Sequence, residues 1–432
     1  MSILEDARAV VENGPVCDAC LGRQFADRSF GLTNAERGKA LRVSVELADD
    51  DPHEPVETEE CWVCEGLSAT FDEWARRAAD GVAGVEFGTY QVGTRAPPLV
   101  EENERLLRES AGLEEEGGEP FKAEFNREVG KRVGRLTDTE VDFERPDVLF
   151  VLDVEDESVD VQVNPAFVYG RYRKLSREIP QTEWPCRECN GTGRRGGDDC
   201  IHCDGTGYMY EESVEQLVSP PILEAMDGDD SSFHGAGRED IDAKMLGTGR
   251  PFVVEVKHPK KRFPDVEALE EEINETADGK VEVEGLRLAT YDMVERVKEL
   301  DASKTYQARV QFDEPIDDET LQDALAELDG ATIEQNTPER VSHRRAAKTR
   351  VREAYAVSGE LEDETHATVE IHGEGGLYIK ELVSSDEGRT EPSLAGLVGV
   401  PCHVTELDVL AVEGEDEAFE DPDFFIESDD EK

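Results

Sequence analysis

HGAGREDIDAKMLGTGRPFVVEVK, residues 234–257, runs from a Gly-rich turn through a cluster of charges into a second Gly-rich turn. It ends in an alternating strand, Phe252 to Val256. Carboxylates held between two turns beside a strand suit a reactive group on a rigid edge. The competing reading is an ordinary acidic surface loop, because acids are everywhere in this chain. Among its 432 residues, 46 are Lys or Arg and 103 are Asp or Glu, a net charge of −57. The acids are spread along the whole length, Arg outnumbers Lys 32 to 14, and 37% of residues are apolar. That pattern is adaptation to multimolar salt more than disorder. At about 1 M salt the Debye length is only ~3 Å. The acidity therefore leaves a nucleic-acid partner open, provided that phosphate contacts are local.

The length predicts two or three domains. No run of 18 apolar residues occurs and the N-terminus lacks a basic head, so neither a membrane span nor a signal peptide is expected. The chain reads as a cytoplasmic protein, with a monomer expected. Eight of the nine cysteines form Cys-x-x-Cys pairs, which in such a chain points to zinc ahead of disulfides. Cys17/Cys20 and Cys61/Cys64 make one four-thiolate site within residues 1–66. Cys186/Cys189 and Cys200/Cys203 make another, inside the repeat CRECNGTG and CIHCDGTG at 186–207. The repeat resembles the zinc-binding repeats of DnaJ co-chaperones, and only the metal carries over. Cys402 reads as a small buried residue.

Residues 67–165 show an α+β pattern. Phe71, Trp74, Ala75 and Ala78 form a helical stripe; Phe121, Phe125, Val129 and Val133 form a second. Extended segments follow at Val148–Val154 and at Val159, Val161 and Val163. In 166–180, AFVYGRYRKLSREIP, basic groups interleave with Tyr169 and Tyr172, which suits phosphate contact and base stacking; the alternative is a salt-bridged strand. A helix is expected over 211–226 and a strand over KTYQARVQF, 304–312, with Tyr306, Ala308, Val310 and Phe312 on one face. A second basic cluster spans Arg340–Arg352. The acidic residues 413–432 are expected to be a disordered tail.

GREDIDAKMLGTGRPF (237–252), KTYQARV (304–310) and GLYIKELV (376–383) together resemble motifs of pseudouridine synthases: the catalytic-aspartate loop, the Lys-x-Tyr strand and the later Gly-x-Tyr-Ile-(Arg/Lys) strand. With the N-terminal cysteines, SREIPQT and QNTPERVSHRRA, the chain is similar to the archaeal and eukaryotic tRNA pseudouridine(54/55) synthase family to about residue 410. The resemblance implies an α+β protein with an N-terminal zinc-containing THUMP-type RNA-binding domain and a C-terminal mixed-sheet catalytic domain. The regions would be 1–66 (zinc), 67–165 (THUMP-type, with a start near 40 as the alternative) and 166–412 (catalytic, carrying the 186–207 insertion). It implies isomerisation of uridine at positions 54 and 55 in the T-arm of tRNA, with structural zinc and no redox cofactor. Asp240 would be the nucleophile, with Asp242 second choice, and Lys380 its basic partner. That carboxylate is expected to be buried beside a fixed cation. Tyr306 would stack on the flipped base, Tyr378 would contact substrate and Leu382 would pack under the base. By position and charge, Arg238 and the 340–352 cluster, Arg344 and Arg345 among it, would meet phosphates. The rivals are a non-catalytic zinc-containing tRNA-binding protein and a THUMP-linked methyltransferase or thiolase. The last lacks both a Gly-rich loop after a strand and a catalytic Cys apart from the pairs.

Overall fold

The computed structural model describes residues 2–28, 30–114, 117–299, 302–338, 348–413 and 419–426. It divides into two compact units, Met1–Asn164 and Pro165–Lys432. In the first, α1 (Ile3–Val11) opens on a capping box of Ser2 and Glu5, and α3 (Asn34–Asp49) on one of Thr33 and Glu36. Between them α2 (Asp18–Arg23) crosses α3 with backbones nearly touching. A Cβ at Gly22 would lie 1.8 Å from the Asn34 carbonyl, and one at Gly38 1.8 Å from that of Asp18, so only glycine fits either position. Then come α4 (Phe71–Gly81), β1 (Thr89–Arg95), α5 (Pro98–Ser110), α6 (Phe121–Thr137), β2 (Glu140–Val141), β3 (Val148–Asp153) and β4 (Ser158–Val163). The sheet order is β2-β1-β3-β4, with β1 parallel to both neighbours. Phe121, Phe125, Val129 and Val133 of α6 are buried as their spacing predicts. They share one core with Cys17, Cys20, Cys61 and Cys64, so residues 1–66 and the α+β segment pack as a single body.

The second unit is built on a sheet of order β10-β5-β9-β16-β11-β14-β13-β12-β15, with β8 also against β9. Its first half holds β5 (Ala166–Lys174), β8 (Asp230–Gly235), β9 (Lys244–Lys257) and β10 (Val281–Ala289). The insertion carries a small hairpin, β6 (Arg194–Arg195) and β7 (Asp198–Asp199). Helices α7 (Val214–Ala225) and α8 (Val266–Thr276) contribute to one core, and α9 (Tyr291–Glu299) to another. The second half holds β11 (Ser303–Phe312), β12 (Ala331–Asn336), β13 (Thr349–Asp363), β14 (His366–Gly373), β15 (Thr390–Glu391) and β16 (Cys402–Glu413). Helices α10 (Asp318–Leu328), α11 (Ile379–Ser384) and α12 (Leu394–Val398) pack in its core. The halves meet where β9 and β16 run parallel, Lys244 opposite Asp408 and Met245 opposite Val409.

Four expectations need correction. GLYIKELV is no strand: a turn with Gly376 at φ 83° leads into α11. Ile379, Leu382 and Val383 are buried at helical spacing, which so short an apolar run cannot distinguish from alternation. The second Gly-rich turn is an irregular part of β9, where a Cβ at Gly247 would lie 1.7 Å from the Leu410 carbonyl. The basic 166–180 stretch is the salt-bridged strand. Tyr169, Tyr172 and Lys174 are buried, Arg173 pairs with Glu282 and Glu284, and Arg177 pairs with Glu406 and Asp408. Finally, the acidic tail packs at Phe419, Phe424 and Phe425. Phe419 is buried, stacked on Tyr169 at 5.9 Å, and Phe425 bridges to Ala289. Phe419→Ala is expected to lower stability by about 3 kcal/mol, read as an earlier denaturation midpoint in multimolar KCl.

Candidate active site

The junction of the two half-sheets carries a cavity of about 450 Å³, a size suited to a small ligand or one flipped nucleotide. The loop before β9 supplies Arg238, Glu239 and Asp240; β9 supplies Arg250; β11 supplies Lys304 and Tyr306. The turn before α11 and its first residues supply Leu377, Tyr378, Ile379 and Lys380, and β16 supplies Leu407 and Val409. Three segments separated by up to about 140 residues therefore converge, and they are the three that carry the motifs.

Lys380 Nζ lies 3.3 Å from Asp240 Oδ2 and donates to both oxygens of Asp242 at 3.0 and 3.1 Å. The Asp240 side chain is 44% exposed, so the expectation of a buried carboxylate is wrong. The lysine, and not a dry pocket, defines its surroundings. Burial pushes the Asp242 carboxyl up, but the Lys380 ammonium outweighs it and the group sits below its usual range. Tyr306 stands at the site end of β11, where Ala308, Val310 and Phe312 turn into the core as the alternation predicts. Burial pushes its phenol up to about 12, against the pull of the Arg250 guanidinium. The backbone of Tyr378 is locked by the buried Gln335, which accepts from its N–H at 2.8 Å and donates to its carbonyl at 2.9 Å. Arg350, from the second basic cluster, lies 5.7 Å from the Tyr378 ring centroid.

Other expected residues fall differently. Leu382 is fully buried in the core beneath α11, and the apolar lining comes instead from Leu377, Ile379, Leu407 and Val409. Arg238 is exposed and lies over Trp184 at 5.9 Å, beside the cysteine insertion. Arg344 and Arg345 lie outside the described residues. Sequence reasoning missed Glu239 and Arg250, an ion pair with both side chains 1% exposed. Continuing the alternation of Phe252 and Val254 back by two places Arg250 on a core-facing position, and that was the available signal. Lys174 and Lys304 were missed as well.

Both cysteine quartets converge, with their four sulfurs within 4.8 Å of one another and all buried. Cys17 and Cys64 sulfurs are 3.8 Å apart, Cys186 and Cys200 3.9 Å, Cys189 and Cys203 3.7 Å. A disulfide needs ~2.05 Å. A tetrahedron with metal–sulfur bonds of about 2.3 Å has edges of about 3.8 Å, so the quartets fit a structural metal such as zinc. N–H groups aimed at the sulfurs, Arg23 Nη2 to Cys20 at 3.3 Å and Gly207 N to Cys203 at 3.2 Å, suit thiolates. Among the described residues no helix is long and apolar enough to cross a membrane.

Residues 167–413 match a family model described as Pus10, C-terminal, and residues 74–153 one described as Pus10 THUMP domain, archaeal. A curated relative from Halorubrum lacusprofundi, called tRNA pseudouridine synthase Pus10, is 65% identical across 99% of this chain and 100% of its own. Relatives with the same name from Methanothrix thermoacetophila and Pyrococcus furiosus are 44% and 39% identical. Each is matched across 95% of this chain, and across 95% and 98% of its own length.

Proposed function

The chain belongs to the Pus10 family of tRNA pseudouridine synthases, and from that premise we propose that it isomerises uridines 54 and 55 in the T-arm of tRNA with Asp240 as nucleophile. It is an isomerase with an N-terminal THUMP domain and a C-terminal pseudouridine synthase domain. Its charge of −57 is adaptation to high salt, in keeping with the Halorubrum relative. The observation that carries the assignment of Asp240 is its carboxylate 3.3 Å from Lys380 in the cavity that Tyr306 lines.

In the reaction the N1–C1′ bond breaks, the uracil turns, C5 bonds to C1′, and the C5 proton leaves as N1 gains one. No oxidant or reductant is consumed. Asp240 adds to the nucleoside, or takes a proton from the sugar, and is released at the end. Extruding the base costs a few kcal/mol of stacking, partly offset by ~1–3 kcal/mol from an aromatic platform; Tyr306, in the cavity lining, would be that platform and Tyr378 a second contact. Arg238, at the exposed mouth, is assigned to backbone phosphate. Zinc in the two quartets would tie the chain together and take no part in the chemistry. The protein acts as a cytoplasmic monomer.

Mapping pseudouridine in unmodified tRNA transcripts after incubation in multimolar KCl tests the position. Modification at 54 and 55 is expected, and modification only outside the T-loop would refute it. Lys380→Met should cut the rate about a hundredfold, measured by single turnover. An unchanged rate would mean that another cation serves Asp240.

A further inference from the structure

The loop that carries Asp240 is held from beneath by charged and polar groups shielded from solvent. Arg250 Nε lies 2.9 Å from Glu239 Oε2, an ion pair off the hydrogen-bonding direction. The buried Tyr172 hydroxyl, 3.0 Å from both oxygens of the Glu239 carboxylate, donates to it. Arg250 also donates to the Ala236 carbonyl at 2.6 Å. Gln181 donates to the Gly237 carbonyl at 3.0 Å and to the Tyr172 oxygen at 2.8 Å. On the far side the buried Lys174 ammonium donates to the carbonyls of Ile241 at 2.7 Å, Ile179 at 3.1 Å and Asp240 at 3.4 Å. Four carbonyls of one six-residue stretch, at 236, 237, 240 and 241, are thus each gripped by a buried side chain. Glu239 points down into this network while Asp240, next in the chain, points out toward Lys380.

We propose that Lys174, Gln181, Glu239 and Arg250 are positioning residues for the isomerisation, fixing the loop backbone so that the Asp240 carboxylate is presented to the base between Lys380 and Tyr306. The proposal rests on the reading of Asp240 as nucleophile. Stability alone does not account for such a network, because a buried ion pair is often no more stabilising than apolar side chains of its volume. A reacting group misplaced by about 1 Å, in contrast, can lose about a hundredfold in rate.

The test uses the full chain in multimolar KCl. Glu239→Gln with Arg250→Met removes both charges together, leaving neither unpaired. The expected result is a kcat lowered about thirtyfold or more, with KM for tRNA within about twofold. Arg250→Lys, which keeps a cation against Glu239, should recover part of the rate. Gln181→Leu is the milder probe should the pair variant not fold, and a kcat about tenfold down at unchanged KM is expected of it. A folded variant with wild-type kcat, or one altered in KM alone, overturns the proposal. Asp240→Asn is assayed alongside: if it is active, the nucleophile reading fails. If it is inactive while the network variants behave as wild type, only the positioning role fails.

Discussion

Asp240→Asn should lose at least about a thousandfold in single-turnover rate while tRNA affinity stays within about twofold. The replacement is nearly isosteric, and the side chain is 44% exposed, so little packing is at stake. An amide can neither form the ester link to the nucleoside nor accept a proton from its sugar. The local charge balance also survives in part, because Lys380 keeps two contacts to Asp242 at 3.0 and 3.1 Å. Asp242→Asn is the control. It removes a carboxylate that holds the lysine without reaching the cavity lining, and a loss of about tenfold or less is expected. The reverse ranking would transfer the nucleophile to Asp242.

Stripping metal from the Cys17/Cys20/Cys61/Cys64 quartet should unfold the N-terminal unit. Structural zinc sites contribute roughly 10–16 kcal/mol to the folded state, as much as the whole stability of an ordinary domain, roughly 5–15 kcal/mol. Here the four cysteines are part of the core itself, in one cluster with Leu21, Trp74, Phe121 and Phe125. Four mutually repelling thiolates, or four protonated thiols without partners, would be left in its midst. The buried Arg23, tied to both Cys20 and Glu124, would lose one of its anionic neighbours. Trp62 and Trp74 report on this unit, so a red shift of tryptophan emission with loss of near-ultraviolet circular dichroism is expected on chelation. The 186–203 quartet forms a cluster of its own four cysteines only. Its metal loss should stay local and spare the denaturation midpoint of the second unit. Native spectra after complete metal removal would contradict the account of the first site.

The sequence was most legible where chemistry demands fixed spacing. Cys-x-x-Cys pairs converge because four thiolates have one compact arrangement, and their order along the chain does not matter. Alternation in 304–312 and four-residue recurrence in 121–133 also translate directly, since each has one face toward a core. The candidate site was legible to the extent that Asp240, Tyr306 and Lys380, whose motifs lie on three separate segments, line one cavity. What stayed hidden was burial. In a chain with 103 acids, Glu239 looks like its neighbours, and nothing local says that it points inward to Arg250 eleven residues later. Tyr172 and Lys174 misled for the same reason: a basic-aromatic pattern reads as a nucleic-acid surface until both faces of β5 are seen to be covered. Ile379–Ser384 misled because six residues contain too few periods to separate a helix from a strand. The tail misled because phenylalanines among acids look solvated until Phe419 and Phe425 are found against the ring of Tyr169.

The most direct measurement is tritium release from a tRNA transcript labelled at C5 of uridines 54 and 55, incubated with the full chain in multimolar KCl. Forming the C5–C1′ bond expels the C5 hydrogen, so the wild-type chain should release the label from both positions, and Asp240→Asn should release none. Retention of the label by the wild type, or its release at full rate by Asp240→Asn, would contradict the account.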